Sequence, residues 1–320
     1  LLMWTFVRAT LVASLLLLRP ALALADPVAV LAALEGRVTL TPARARTAKP
    51  ATFGSPLERG DRISVAANGK ATLLFNDGNV IELGAGSSMT LGGRAAAGTV
   101  AGNERLPREA FASVTNFRVS GSRERGLVAA PTLRTGGTAA TPEPLEPRSS
   151  DLLTDRPQFR WRAVPGAVRY SVRLSNDHGE QWAQDSEQIE LAFPASATAL
   201  ADGEYLWEVQ AYGRQGPLER ASATFRVLPA IEAEAVRSVL GRIQASAGGE
   251  NTAAGRYLGG AYLFERGMLN AAAEQFSALT RLAPGSPAPH EALGDVYRAV
   301  GLKDLADDAY EKARSLSTSH

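Results

Sequence analysis

The chain has 320 residues, 45% hydrophobic and 21% charged, with a formal net charge of +1. That length suits two or three folded domains, and the near-zero charge argues against a nucleic-acid binder, which would show a basic face. There is no cysteine, so disulfides, thiolate chemistry and cysteine-ligated zinc are excluded.

The N-terminus reads as a secretory signal over residues 1–25. Arg8 supplies a basic start, Ala9 to Leu18 an apolar run, and Ala23-Leu24-Ala25 a small-x-small cleavage site before Asp26. Arg19 and Pro20 cut the run off short of the ~20 residues that a membrane span needs. The expected product is an exported, periplasmic chain with no transmembrane span after signal removal.

Residues 26–134 read as an all-β unit with an irregular basic extension from 94. Val38 and Leu40 share one face of a strand, as do Ala71, Leu73 and Phe75. Asp77-Gly78 then marks a hairpin, with Ile81 and Leu83 returning to the buried face. Gly60-Asp61 and Asp77-Gly78 read as turn residues rather than metal or catalytic carboxylates. The run Gly54-x-x-Leu57-x-x-Gly60-Asp61-x-Ile63, then Ala71-x-Leu73-x-Phe75-x-Asp77-Gly78, Ile81-x-Leu83 and Ser87 resembles the FecR domain, a periplasmic β module of envelope signalling regulators. Val65 and Asn79 depart from that family's pattern, which usually has Thr and Ser there. The resemblance implies envelope signalling. Those regulators carry a cytoplasmic anti-sigma segment and a membrane span before the module, and here the module follows the signal almost at once. Direct control of a sigma factor is therefore not expected.

From Arg94 to Arg134 seven Arg stand against three Glu, which reads as a solvated surface or, alternatively, a patch for anionic polymer. Phe111, Val114, Phe117 and Val119 are expected to add a strand or two. Residues 135–150, rich in Gly, Thr, Ala and Pro, read as a linker.

Residues 151–229 read as a β-sandwich. Phe159 and Trp161 alternate, Tyr170, Val172 and Leu174 share a face, and Tyr205, Trp207, Val209 and Ala211 form one side of a half-buried strand. Trp161, Tyr170 and the Tyr205-x-Trp207-x-Val209 run resemble a fibronectin type III domain. Trp182 is placed in a polar loop, Asp177 to Gln188, covering the sandwich edge.

Residues 230–252 read as a helix and connector, with Ile231, Ala235, Val239 and Ile243 on its apolar face. Over 253–320 Gly260, Leu263, Gly267, Ala272 and Phe276 recur as Gly294, Tyr297, Gly301, Ala306 and Tyr310, an offset of 34 residues. That period belongs to helix–turn–helix repeats. These residues resemble two tetratricopeptide repeats, closed by Pro284 after the first. Two are fewer than the ~3 usually needed for a stable stack, a deficit that packing against the preceding helix would make good.

The resemblance implies a groove lined by Ala254, Tyr257, Ala261, Phe264 and Glu265 of the first repeat and Ala288, Glu291, Asp295, Arg298 and Ala299 of the second. Tyr257, Phe264, Glu265, Glu291, Asp295 and Arg298 are its candidate binding residues, and Tyr257 and Arg298 are expected to point away from the seam between paired helices. Such a groove suits a peptide with an apolar anchor and a basic group. His178, His290 and His320 have no metal-site spacing, and no nucleophile elbow, P-loop or dinucleotide fingerprint is present. The expected class is a multidomain chain, two all-β modules plus an all-α array, acting as a non-catalytic periplasmic adaptor or sensor that holds other envelope proteins. No cofactor or metal is expected. A peptidoglycan- or polysaccharide-binding protein is the alternative, and an unrecognised hydrolase a third.

Overall fold

The computed structural model describes residues 27–75, 79–92, 99–101, 112–113, 116–117 and 141–318. The expected signal over residues 1–25, the expected Asp77-Gly78 turn and nearly all of the basic stretch lie outside them.

Nine short strands open the described chain: β1 (Ala29–Glu35), β2 (Val38–Thr41), β3 (Lys49–Pro50), β4 (Pro56–Leu57), β5 (Arg62–Val65), β6 (Lys70–Phe75), β7 (Val80–Leu83), β8 (Ser88–Thr90) and β9 (Thr99–Ala101). They form a five-stranded sheet, β4-β1-β6-β7-β9, and a four-stranded sheet, β3-β2-β5-β8. Leu31, Leu40, Leu57, Ile63, Leu73 and Leu83 fill the core of this β module. Leu74 pairs with Val80 across the β6–β7 hairpin. Asp61 is a buried turn anchor: its carboxylate accepts hydrogen bonds from the backbone N–H groups of Ala43 (2.8 Å) and Glu58 (2.9 Å). The five-stranded sheet is buried on both faces. In β1, Ala29 and Leu31 face the module's core, while Val30 and Ala32 join a second core shared with helices. Residues 116–117 are helical rather than part of a strand, and Phe117 is buried in that second core.

The middle module begins earlier than its composition suggests. Pro144–Glu146 (β10) and Ser150–Leu152 (β11), both inside the expected linker or at its end, are strands. The others are β12 (Gln158–Trp161), β13 (Ala167–Asn176), β14 (Gly179–Ser186), β15 (Glu190–Ala192), β16 (Gly203–Gly213) and β17 (Gly216–Val227). Two sheets result, β10-β12-β15 and β11-β17-β16-β13-β14, with β11 running parallel to β17. Phe159, Trp161, Tyr170, Trp207 and Phe225 pack between them. The Trp207 indole N–H donates to Pro147 O at 2.7 Å, so the supposed linker satisfies a core tryptophan. Trp182 lies on edge strand β14 rather than in a loop. It stacks on Phe159 (centroids 5.7 Å) and tilts against Phe193 (5.3 Å), closing the gap between the sheets.

Five helices follow: α1 (Ala230–Ser246), α2 (Ala253–Glu265), α3 (Leu269–Leu282), α4 (Pro287–Ala299) and α5 (Lys303–Thr318). The buried face of α1 carries Ala233, Val236 and Ile243, whereas Ile231 is 82% exposed and Ala235 is exposed too. Strict i, i+4 steps drift by about 40° each on a helix of 3.6 residues per turn, so Ile231 and Ile243 cannot share a face.

Helices α2–α3 and α4–α5 are two hairpins whose matching parts lie 34 residues apart. A Cβ on Gly260 would sit 2.6 Å from the Phe276 ring, and one on Gly294 would sit 2.4 Å from the Tyr310 ring. Each hairpin thus crosses where a glycine accepts an aromatic knob. Each turn also holds a glycine in the left-handed region, Gly267 (φ 78°) and Gly301 (φ 81°), a conformation costly for other residues. Helix α1 packs on α2, so the two hairpins are not stacked alone.

Candidate functional site

Helix α2 is capped by Thr252, whose hydroxyl accepts from Gly255 N at 3.0 Å. The cap fixes where Tyr257 and Phe264 project, and both meet the β module. Tyr257, 1% exposed, packs edge-on against Phe53 at 4.9 Å. Phe264 packs against Phe117 at 4.9 Å, and Phe117 stacks on Phe276 at 5.3 Å. Ala254 and Ala261 are buried in the same core. The expected groove face of the first hairpin is therefore filled by this chain's own β module. Tyr257 is a core residue, and truncating it would open a cavity rather than spare the core. Glu265, at the end of α2, keeps a carboxyl raised above the ordinary range by partial desolvation, against which a hydrogen bond with the Asn116 side chain works.

In the second hairpin the corresponding residues turn toward their own partner helix. Asp295 is 2% exposed and accepts a hydrogen bond from the Tyr310 hydroxyl at 2.7 Å. The Arg298 guanidinium lies over the Tyr310 ring at 4.9 Å. Arg298 thus faces the α4–α5 seam instead of pointing away from it, and Glu291 is half-buried nearby on α4. The six candidate residues do not converge on one groove. Two serve the β-module seam, two pack around Tyr310, Glu265 ends α2, and Glu291 is half-buried within α4.

The seam is incompletely filled. Between the β module and the N-terminal ends of α2 and α4 lies a crevice of about 1090 Å³. One wall is Ala33–Thr39 and Pro50–Phe53; the other is Ala247, Gly248, Asn251–Ala254 and Leu282–Pro287. The walls are mostly apolar, interspersed with Thr39, Thr52, Asn251 and Ser286. The Ser286 hydroxyl is buried and has no hydrogen-bond partner among the described residues. It occupies the N-cap of α4 but caps nothing: Pro289, at the third helical position, removes one of the two N–H groups that such a hydroxyl would otherwise approach. Of the crevice's charged members, Lys70 and Glu82 pair 3.1 Å apart, and Glu35 and Arg37 also line it. Pro50 occupies edge strand β3, where a missing N–H disfavours addition of a further strand.

Phe53 was not legible as a site residue because it belongs to no periodic pattern, and Phe117 was expected in a strand of the β module instead. Val30 and Ala32, within the unbroken apolar run of β1, are the signal that could have revealed the covered face. Among the described residues, no group of three or more His, Asp or Glu is arranged to hold a metal ion, and no helix is long and apolar enough to cross a membrane.

No protein family's sequence pattern and no curated protein matches the chain. Solved structures do. An Fn3-like protein from Clostridium thermocellum is similar at 20% identity over 25% of this chain and 88% of its own, with a TM-score of 0.20. Fibronectin(III)-like modules of CbhA from the same organism match at 12% identity over 64% of this chain and 81% of theirs, TM-score 0.23. CopC from Methylosinus trichosporium OB3b matches at 17% identity over 28% of this chain and 94% of its own, TM-score 0.22. The two-sheet sandwich is read from its own strand pairing.

Proposed function

We propose that the protein is a non-catalytic adaptor or sensor of the bacterial cell envelope that holds another protein through the seam between its β module and its helical array. The reading takes residues 1–25 as a cleaved signal, residues 26–134 as a FecR-like module with an irregular basic extension from 94, the sandwich as fibronectin type III-like, and α2–α5 as two tetratricopeptide repeats. One observation carries it. The glycine–aromatic crossing of α2–α3 recurs in α4–α5 at the same offset, and helical repeats of this kind present surfaces to other chains. The crevice is the surface that the β module leaves uncovered at the head of α2 and α4. Concave, mostly apolar sites with a few polar groups favour such module boundaries. Its mostly apolar lining, with Glu35, Arg37, Lys70 and Glu82 as the charged members, suits an extended segment with small apolar side chains.

Leu282 lines the crevice and is half-exposed, so Leu282→Arg blocks the site without touching the core. Affinity capture from periplasmic extract, read by mass spectrometry, is expected to lose a defined set of partners with this variant while circular dichroism stays unchanged. Capture of the same partners by both proteins would contradict the site. Co-sedimentation with purified sacculi in place of protein capture would favour the cell-wall polymer reading instead.

A further inference from the structure

The helical array meets the two β modules through seams of different chemistry. Val30, Ala32, Phe53, Leu74 and Val80 of the β module belong to the same apolar core as α2 and α3. The sandwich keeps a separate core around Phe159, Trp161 and Trp207. Its contacts with the array are chiefly polar and concentrated in one short segment, with Leu153 and Leu228 at the sandwich edge as the apolar members that join the helical core. Arg148 N donates to Asn270 Oδ1 (3.2 Å), and Arg148 Nε donates to Val300 O (2.7 Å). The Ser150 hydroxyl accepts from Asn270 N (3.1 Å), and Asp151 N donates to Gly267 O (3.0 Å). An ion pair between Arg162 and Asp304 at 2.5 Å adds a second point.

The targets of these bonds are equivalent. Gly267 and the Val300–Gly301 peptide are the same turn in the two hairpins, so one segment engages both. Ser150 also does a helix-capping task. The N-cap of α3 is Met268, which has no side-chain bond, and the sandwich supplies the missing oxygen to a backbone N–H of the first turn. Beside this polar contact the modules part around a crevice of about 730 Å³, lined by Asp151–Asp155, Leu228, Ala230, Ala233, Asn270, Ala271 and Glu274. Close-packed interiors hold few voids larger than a water molecule, so this seam is not fused. The covalent link is short, Leu228-Pro229 between β17 and α1.

We infer that the sandwich is a hinged module, pivoting at Val227-Leu228, just before the side chain that anchors in the helical core, and held against both helix-hairpin turns by a polar latch formed by Arg148, Ser150, Asp151 and Arg162. Polar interfaces between modules permit relative motion where large apolar ones do not. Releasing the latch swings the sandwich as a body and leaves the β module in place on α2. The inference is independent of the proposed partner and of the crevice at the other seam.

The test uses the full chain, whose lack of cysteine lets two introduced thiols be labelled specifically. Asp177→Cys at the far end of the sandwich and Glu311→Cys on the outer side of α5 carry spin labels for double electron–electron resonance. With the latch intact, one narrow distance distribution is expected. Arg148→Ala combined with Ser150→Ala is expected to abolish it in favour of a broad one, with near-ultraviolet circular dichroism retained. Asp304→Ala, which removes only the ion pair, is expected to broaden it less, and this arm decides the matter should the double variant fail to fold. A distribution equally narrow in Asp304→Ala and in any folded double variant would overturn the inference.

Discussion

The two helical hairpins share a scaffold and differ in what covers them. Tyr257 and Glu291 occupy equivalent positions on α2 and α4, yet Tyr257 is buried against Phe53 and Glu291 is half-buried. The crossing residues are the same kind in both, glycine against an aromatic ring. The difference therefore lies on the helix face and not in the hairpin. Where the β module sits, that face is Ala254, Tyr257, Ala261 and Phe264; in the other hairpin it is Ala288, Glu291, Asp295 and Arg298. A repeat keeps its internal geometry while its outer face follows whichever neighbour it meets.

The largest expected effect separates the two equivalent positions. Tyr257→Ala should cost about 3–5 kcal/mol, the range for a buried aromatic whose loss leaves a cavity. Glu291→Ala should cost under about 1 kcal/mol, as expected of a change outside the core. Chemical denaturation followed by helical circular dichroism measures both. Similar losses would mean that the two faces are equally committed.

A second experiment asks whether the hairpins really are alike inside. Gly260→Ala and Gly294→Ala place a methyl against rings that are buried at their crossings, and overpacking of this kind costs about 1–3 kcal/mol. Both should lower the melting temperature. Gly241→Ala, on α1 with nothing within 4 Å of the new methyl, should instead stabilise by about 0.4–1 kcal/mol through the unfolded state. A stabilising result at Gly294 alone would break the equivalence of the two crossings.

The parts of the fold readable from sequence were those governed by local rules. The hairpin crossings depend on residues 16 positions apart (260 and 276, 294 and 310), and strand β16 announces itself because Tyr205, Trp207, Val209 and Ala211 alternate into one core. What stayed hidden depends on partners distant in sequence. Tyr257 looked like a groove residue because nothing near it in sequence reveals Phe53. Pro144–Ser150 looked like a linker because its Pro and Ser content resembles loops, while its strands are defined by pairing with β12 and β17. Trp182 lacked apolar neighbours in its own strand, since it covers Phe159 and Phe193 from the sheet edge. The candidate groove was thus legible as a surface of the repeats, and its occupant was not.

The central claim, that the β module itself covers the face of the first hairpin, is tested most directly by a double-mutant cycle between Phe53 and Tyr257. Each residue is replaced by Ala singly and together, and unfolding free energies are measured under one set of conditions. Contact between the rings predicts a coupling of about 0.5–1.5 kcal/mol, the usual range for aromatic pairs. Losses that simply add, within the ~0.3–0.5 kcal/mol expected of independent sites, would mean that Phe53 does not rest on Tyr257 and that the face is covered by something else.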